Sequence, residues 1–121
     1  MLDHRLDANG ILHLHPQGAL QKEDFAALAK TVDPYIEKQG NLAGVIVDAP
    51  KFPGWDSLGA MAAHIRFVRD HHKRVKKIAV VTDAKLGDFA EKIGSHFVAA
   101  TIKHFPAGQT QAAEHWILSK G

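Results

Sequence analysis

The chain has 121 residues, enough for one domain with its own core and no need of cross-links. It contains no cysteine, which excludes disulfides, thiol nucleophiles and thiolate metal sites. The formal charge of +2 is only mildly basic, yet six of the fifteen Lys and Arg residues fall between Arg66 and Lys77 against one acid, Asp70, so one end of the molecule is positive.

The opening "MLDHRLDANG" lacks the basic and apolar segments of a secretory signal, and no apolar run approaches the roughly 18 residues of a membrane span. A soluble, cytoplasmic protein is the expectation. Leu2 and Leu6 lead into Asn9-Gly10, a pair that supplies the positive φ angles of a tight turn, and "ILHLH" resumes a β-hairpin. In that second strand Ile11, His13 and His15 share one face, Leu12 and Leu14 the other.

From Lys22 to Gln39, Phe25, Leu28, Ala29, Val32, Tyr35 and Ile36 follow the spacing i, i+3, i+4, i+7, i+10 and i+11 of an amphipathic helix. Pro34 should kink or restart it with Asp33 as a cap, and Gly40 should end it. "LAGVIVD" at 42–48 reads as a strand covered on both faces. A helix from Ser57 to about His71 should bury Leu58, Met61, Ala62, Ile65 and Val68. "KKIAVVTD" from Lys76 is another buried strand. A helix carrying Leu86, Phe89, Ala90, Ile93 and Phe97 follows, then the strand "ATIKHF". A closing helix, "QTQAAEHWILSK", should bury Ala112, Ala113, Trp116 and Ile117. The order is ββαβαβαβα within one domain spanning 1–121. It implies an α/β fold with a mixed, mainly parallel sheet and right-handed crossovers.

The stretch "FPGWDSLG" at 52–59 turns from strand to helix at the carboxyl edge of a central strand, where open α/β sheets bind their ligands. Two readings stand side by side. Asp56 caps the helix, Ser57 occupies its first turn and Trp55 is a packing anchor. Alternatively, Ser57 is a switch: a phosphate would add a charge of about −1.5 to −2 next to free helix N–H groups.

The element order, the strand-end Asp48, "FPGW" at 52–55, "KIAVVTD" at 77–83 and "FPAG" at 105–108 followed by Ala112 and Trp116 resemble the SpoIIAA-like group of small bacterial proteins. That group has a STAS-like fold and is also compared with CRAL-TRIO lipid-transfer domains. In phosphorylatable STAS proteins the acceptor serine opens a helix in an Asp-Ser-Ser/Thr-Gly motif. Here Asp56-Ser57-Leu58-Gly59 occupies that place, so Ser57 aligns with the acceptor. Leu58 replaces the second hydroxyl residue, and the approach carries two prolines and Trp55. The resemblance implies a non-enzymatic regulatory or protein-interaction module like the anti-sigma-factor antagonists, with Asp48, Phe52, Trp55, Asp56 and Ser57 as regulatory or ligand-site candidates. The alternative it implies is a small apolar-ligand or lipid binder. The regulatory reading is preferred, because about 120 residues leave little volume for an acyl pocket once helices cover a sheet.

Other chemistry has weaker footing. Nine histidines invite a metal, but no His-Glu-x-x-His or comparable spacing occurs, and no metal or other cofactor is expected. There is no Gly-x-Ser-x-Gly elbow, P-loop or Gly-x-Gly-x-x-Gly, so no enzyme is expected. The basic run of Arg66, Arg69, Lys73, Arg74, Lys76 and Lys77 complements a helix dipole. It could also meet phosphates of a membrane surface, with no specific nucleic acid implied. The expected partners are a protein, or a lipid or small apolar ligand, together with a weak homodimer through the hairpin or an exposed helix face.

Overall fold

The computed structural model describes residues 1–50, 53–83 and 100–119. Within them the chain runs β1 (Leu2–Leu6), β2 (Ile11–Pro16), α1 (Lys22–Gln39), β3 (Gly44–Asp48), α2 (Leu58–His71), β4 (Lys77–Val81), β5 (Thr101–Phe105) and α3 (Thr110–Leu118), with a 3-10 turn at His72–Arg74 after α2. The helix expected around Leu86, Phe89, Ala90, Ile93 and Phe97 lies outside the described residues. One sheet has the strand order β1-β2-β3-β4-β5. Its first pair is antiparallel and the other three are parallel. This is the mixed, mainly parallel α/β sheet that alternating buried strands and helices require.

The hairpin turn is built differently from the expectation. Only Gly10 has a positive φ, 83°, and Asn9 does not. Asp7 supplies the rest: its carbonyl accepts from Gly10 N–H (3.1 Å), and its carboxylate accepts from the N–H groups of Asn9 (2.9 Å) and Ile11 (3.0 Å). A three-residue loop with one left-handed glycine is the result. Gly10 is also needed for space, since a Cβ there would lie 2.5 Å from the Tyr35 hydroxyl of α1.

Strand alternation divides the core between the two faces. Leu12, Val45, Ile78 and Val80 meet Phe25, Leu28 and Val32 of α1. Ile11, Ile46, Ala79, Val81 and Phe105 meet Ala113 and Ile117 of α3 on the other face. There Gly44 lets α3 approach: a Cβ would stand 2.7 Å from Ile117 Cγ2 and 2.9 Å from the Lys77 carbonyl oxygen.

Three helix expectations need correction. Helix α1 runs unbroken through Pro34. Proline lies on an exposed flank, where water can satisfy the carbonyl it leaves without a helical donor. Asp33 is not a cap; its carboxylate meets His71 instead. Helix α2 is rotated relative to the apolar count. Ala60 and Val68 are buried, with Ala63 and Phe67 packed against the core, whereas Leu58 is 80% and Ile65 41% exposed. His64 and His71 take inward positions because aromatic and polar partners receive them there. In α3 the buried residues are Ala113 and Ile117. Ala112 is exposed and Trp116 only half-buried, its ring tilted against Phe105 at 5.9 Å.

Candidate functional site

The strand-to-helix junction is held from three sides. Leu20 N–H donates to the Gly54 carbonyl (2.8 Å), and Asp56 N–H donates to the Leu20 carbonyl (3.0 Å). Gly54 itself needs its positive φ of 76° for this approach. The Trp55 indole N–H donates to His64 Nδ1 at 3.1 Å, so Nδ1 must carry its lone pair. The His64 ring stacks on Phe25 at 4.9 Å and 13°. Tryptophan is therefore the anchor that the sequence suggested, and His64 and Phe25 are the partners it did not reveal. The useful signal is spacing: His64, Phe67, Val68 and His71 continue the helical stripe from Ala60 once histidines count as inward-facing.

The helix cap is Ser57, not Asp56. Ser57 has extended backbone angles, and its Oγ accepts from Ala60 N–H at 3.0 Å. Asp56 lies one residue before the cap position, where its N–H donates to the Leu20 carbonyl. Both residues are exposed. A serine in this position offers its hydroxyl oxygen to solvent and sits beside the N–H groups of the first turn, a favourable place for added negative charge.

The predicted site residues do not all converge. Asp48 lies on the α3 face with Ile46, its carboxylate 3.8 Å from His15 Nδ1, while Trp55 packs on the α1–α2 side. Strand alternation separates them. Phe52 lies outside the described residues.

Beside the junction, an open groove of about 650 Å³ runs between α1 and α2. Phe25, Ala26, Ala29, Ala62, Ala63 and Phe67 give it an apolar lining. At its far end His71 joins the helices: Nε2 lies 2.6 Å from Asp33 Oδ1, Nδ1 lies 2.7 Å from the Phe67 carbonyl, and the ring stacks on Phe67 at 4.0 Å. Beneath the groove an enclosed apolar cavity measures only about 60 Å³.

On the other face, Asp3, Arg5, His13, His15 and Asp48 line a cleft of about 330 Å³. His13 lies 2.9 Å from Asp7 and 3.9 Å from Glu114. Burial alone would raise the Asp7 pKa. The His13 hydrogen bond and the N–H groups of Ile11 and Asn9 outweigh that effect and hold the carboxyl below its ordinary value. Among the described residues, no group of three or more His, Asp or Glu side chains is placed to hold a metal ion.

The basic run is only partly a surface. Arg66, Arg69, Lys73, Arg74 and Lys76 are exposed. Arg69 lies beside Asp70 at 3.3 Å. Lys77 must be removed from the patch, because it is 8% exposed and its ammonium donates to the carbonyls of Trp116 (2.8 Å) and Ser119 (3.0 Å) and to Ser119 Oγ (3.3 Å). It stands 5.1 Å from the Trp116 ring centre. A buried cation is tolerated there because it satisfies the carboxyl end of α3. No helix among the described residues is long and apolar enough to cross a membrane.

A sequence model of the SpoIIAA-like family matches residues 11–118. No curated protein sequence matches the chain. Among solved structures, the chain is similar to an uncharacterized protein with a SpoIIAA-like fold from Shewanella loihica PV-4. That match has 18% identity and a TM-score of 0.68, covering 97% of this chain and 92% of that one.

Proposed function

Because the chain belongs to the SpoIIAA-like family, we propose that it is a cytoplasmic, non-enzymatic regulatory module that binds a protein partner at the β3–α2 junction and is switched by phosphorylation of Ser57. The observation that carries this reading is the placement of Ser57: exposed, at the N-cap of α2, on a loop fastened by Leu20 and by the Trp55–His64 hydrogen bond, with His64 stacked on Phe25. A fixed loop presents one surface to a partner, and a phosphate added there changes the charge without unfolding the scaffold. The phosphate oxygens would take over the cap acceptor role from Oγ, and neighbouring Asp56 would add to the local negative charge. Partner pull-downs comparing wild type, Ser57→Ala and Ser57→Asp test it. Partners held by wild type and Ser57→Ala but lost by Ser57→Asp are expected; identical partner sets in all three would remove the switch.

The groove between α1 and α2 supports a second reading, a small apolar ligand resting on Phe25 and Phe67. Its volume is in the usual range for ligand sites, but it is open, and the enclosed cavity beneath it is far too small for an acyl chain. Native mass spectrometry of freshly purified protein separates the readings: a retained small molecule favours the groove, and a clean apo mass counts against it.

A further inference from the structure

We propose that the outer face of α2 is a self-association surface, on which two copies pack this helix antiparallel about a two-fold axis close to Ala62. The proposal does not rest on the Ser57 reading. Leu58, Ala62, Ile65 and Arg69 fall at i, i+4, i+7 and i+11, one stripe on the side of α2 opposite buried Ala60 and half-buried His64 and Phe67. Leu58 and Ile65 are among the few large aliphatic side chains left exposed among the described residues. Ala62, exposed between them, is small enough to let two helix backbones come close.

Charge selects the occupant and its direction. Asp56 stands just before the helix and Arg69 near its last turn, and both are exposed. In an antiparallel pair, Leu58 meets Ile65 of the second copy and Asp56 meets Arg69 of the second copy. The midpoints of the two pairings fall within about one residue of Ala62, so a single axis satisfies both. A parallel arrangement would instead set Arg69 against Arg69 and Asp56 against Asp56. The antiparallel one also opposes the two helix dipoles. In the monomer Arg69 is held by Asp70, but that pair is exposed on both sides and cheap to exchange. Fourteen residues make a helix about 21 Å long, less than a standard interface needs, so the dimer is weak and forms at high concentration.

Sedimentation velocity from low-micromolar to millimolar protein tests this, with four chains: wild type, Asp56→Arg, Arg69→Asp and the double exchange. Wild type should dimerise with rising concentration. Each single exchange places like charges opposite each other twice and should weaken the dimer on the order of tenfold, and the double exchange should restore it. Thermal melts by circular dichroism separate lost association from lost folding. Both positions are exposed and Ser57 keeps the cap, so the melts should stay close to wild type. A wild type that is monomeric throughout overturns the proposal. So does a dimer that ignores both single exchanges, or one that the double exchange fails to restore.

Discussion

On one face of the sheet, α1 and α2 cover the strands with Phe25, Leu28, Val32 and Val68 and reach as far as the hairpin through Tyr35. On the other, among the described residues, the nine-residue α3 lies over β3, β4, β5 and the Ile11 end of β2, and β1 with the 13–15 end of β2 forms a polar shelf. On both faces described histidines stand beside carboxylates, and between the helices they also stack on aromatic rings. His64 and His71 are packed flat on Phe25 and Phe67 between the two helices, while His13 and His15 on the shelf stand beside the carboxylates of Asp7 and Asp48. Nine histidines in a short chain suggest metal when counted; of those described, His64 and His71 join ring packing to bonds with Trp55 and Asp33 between the helices, and His13 and His15 stand beside carboxylates on the shelf.

Losses should be largest where the helices lie thickest. Leu28→Ala, at 1% exposure, should cost about 3–4 kcal/mol, since it removes a buried side chain that two layers cannot collapse to replace. A urea midpoint unchanged within error would show that α1 can settle onto the sheet without it. Gly44→Ala tests the thin face and should cost about 1–3 kcal/mol by overpacking. Adding Ile117→Ala to Gly44→Ala removes both crowding side-chain carbons, with the cost of Ile117→Ala alone as the reference. Part of the local strain should still remain, because the Lys77 carbonyl oxygen crowds the same point and belongs to the sheet backbone. Full recovery would place all the strain in the side chain. Trp116→Ala should cost roughly 1–2 kcal/mol, below the usual 3–5 for a fully buried aromatic, because its ring stays half-exposed beside Phe105 and Lys77.

The smallest effect concerns the shelf and shows itself in acid. The folded state holds the Asp7 carboxyl below its ordinary value of 3.8, so it favours the carboxylate. That contribution is complete above the ordinary value and is lost as pH falls through the lowered folded one. Asp7→Asn should therefore flatten part of the acid limb of the stability curve while leaving its shape near neutrality unchanged. A curve parallel to wild type down to low pH would contradict the role given to this pairing.

How legible each part was depends on the kind of signal the residues carry. The hairpin can be read from alternation around Asn9-Gly10, the central strands from their continuous apolar runs, and α1 from the stripe of Phe25, Leu28, Val32 and Ile36 ended by Gly40, because burial and turn chemistry act locally. The rotation of α2 could not be read the same way. Its inward face depends on Phe25 and Asp33, distant in sequence, which give His64 and His71 a reason to turn in. Lys77 misled for the same reason, since the carbonyls it satisfies come from Trp116 and Ser119. Within the candidate site the junction was visible as a place, with Trp55 as its anchor. Which residue caps the helix was settled only by the Leu20 hydrogen bonds that position Asp56 and free Ser57 for Ala60.

The most direct test of the regulatory account is phosphopeptide mass spectrometry of the chain isolated from its own cells across growth conditions, with Ser57→Ala expressed in parallel. The account predicts a phosphopeptide mapping to Ser57 in at least one condition and its absence from Ser57→Ala. An unmodified Ser57 in every condition, with phosphopeptides of other proteins recovered from the same samples, would contradict it.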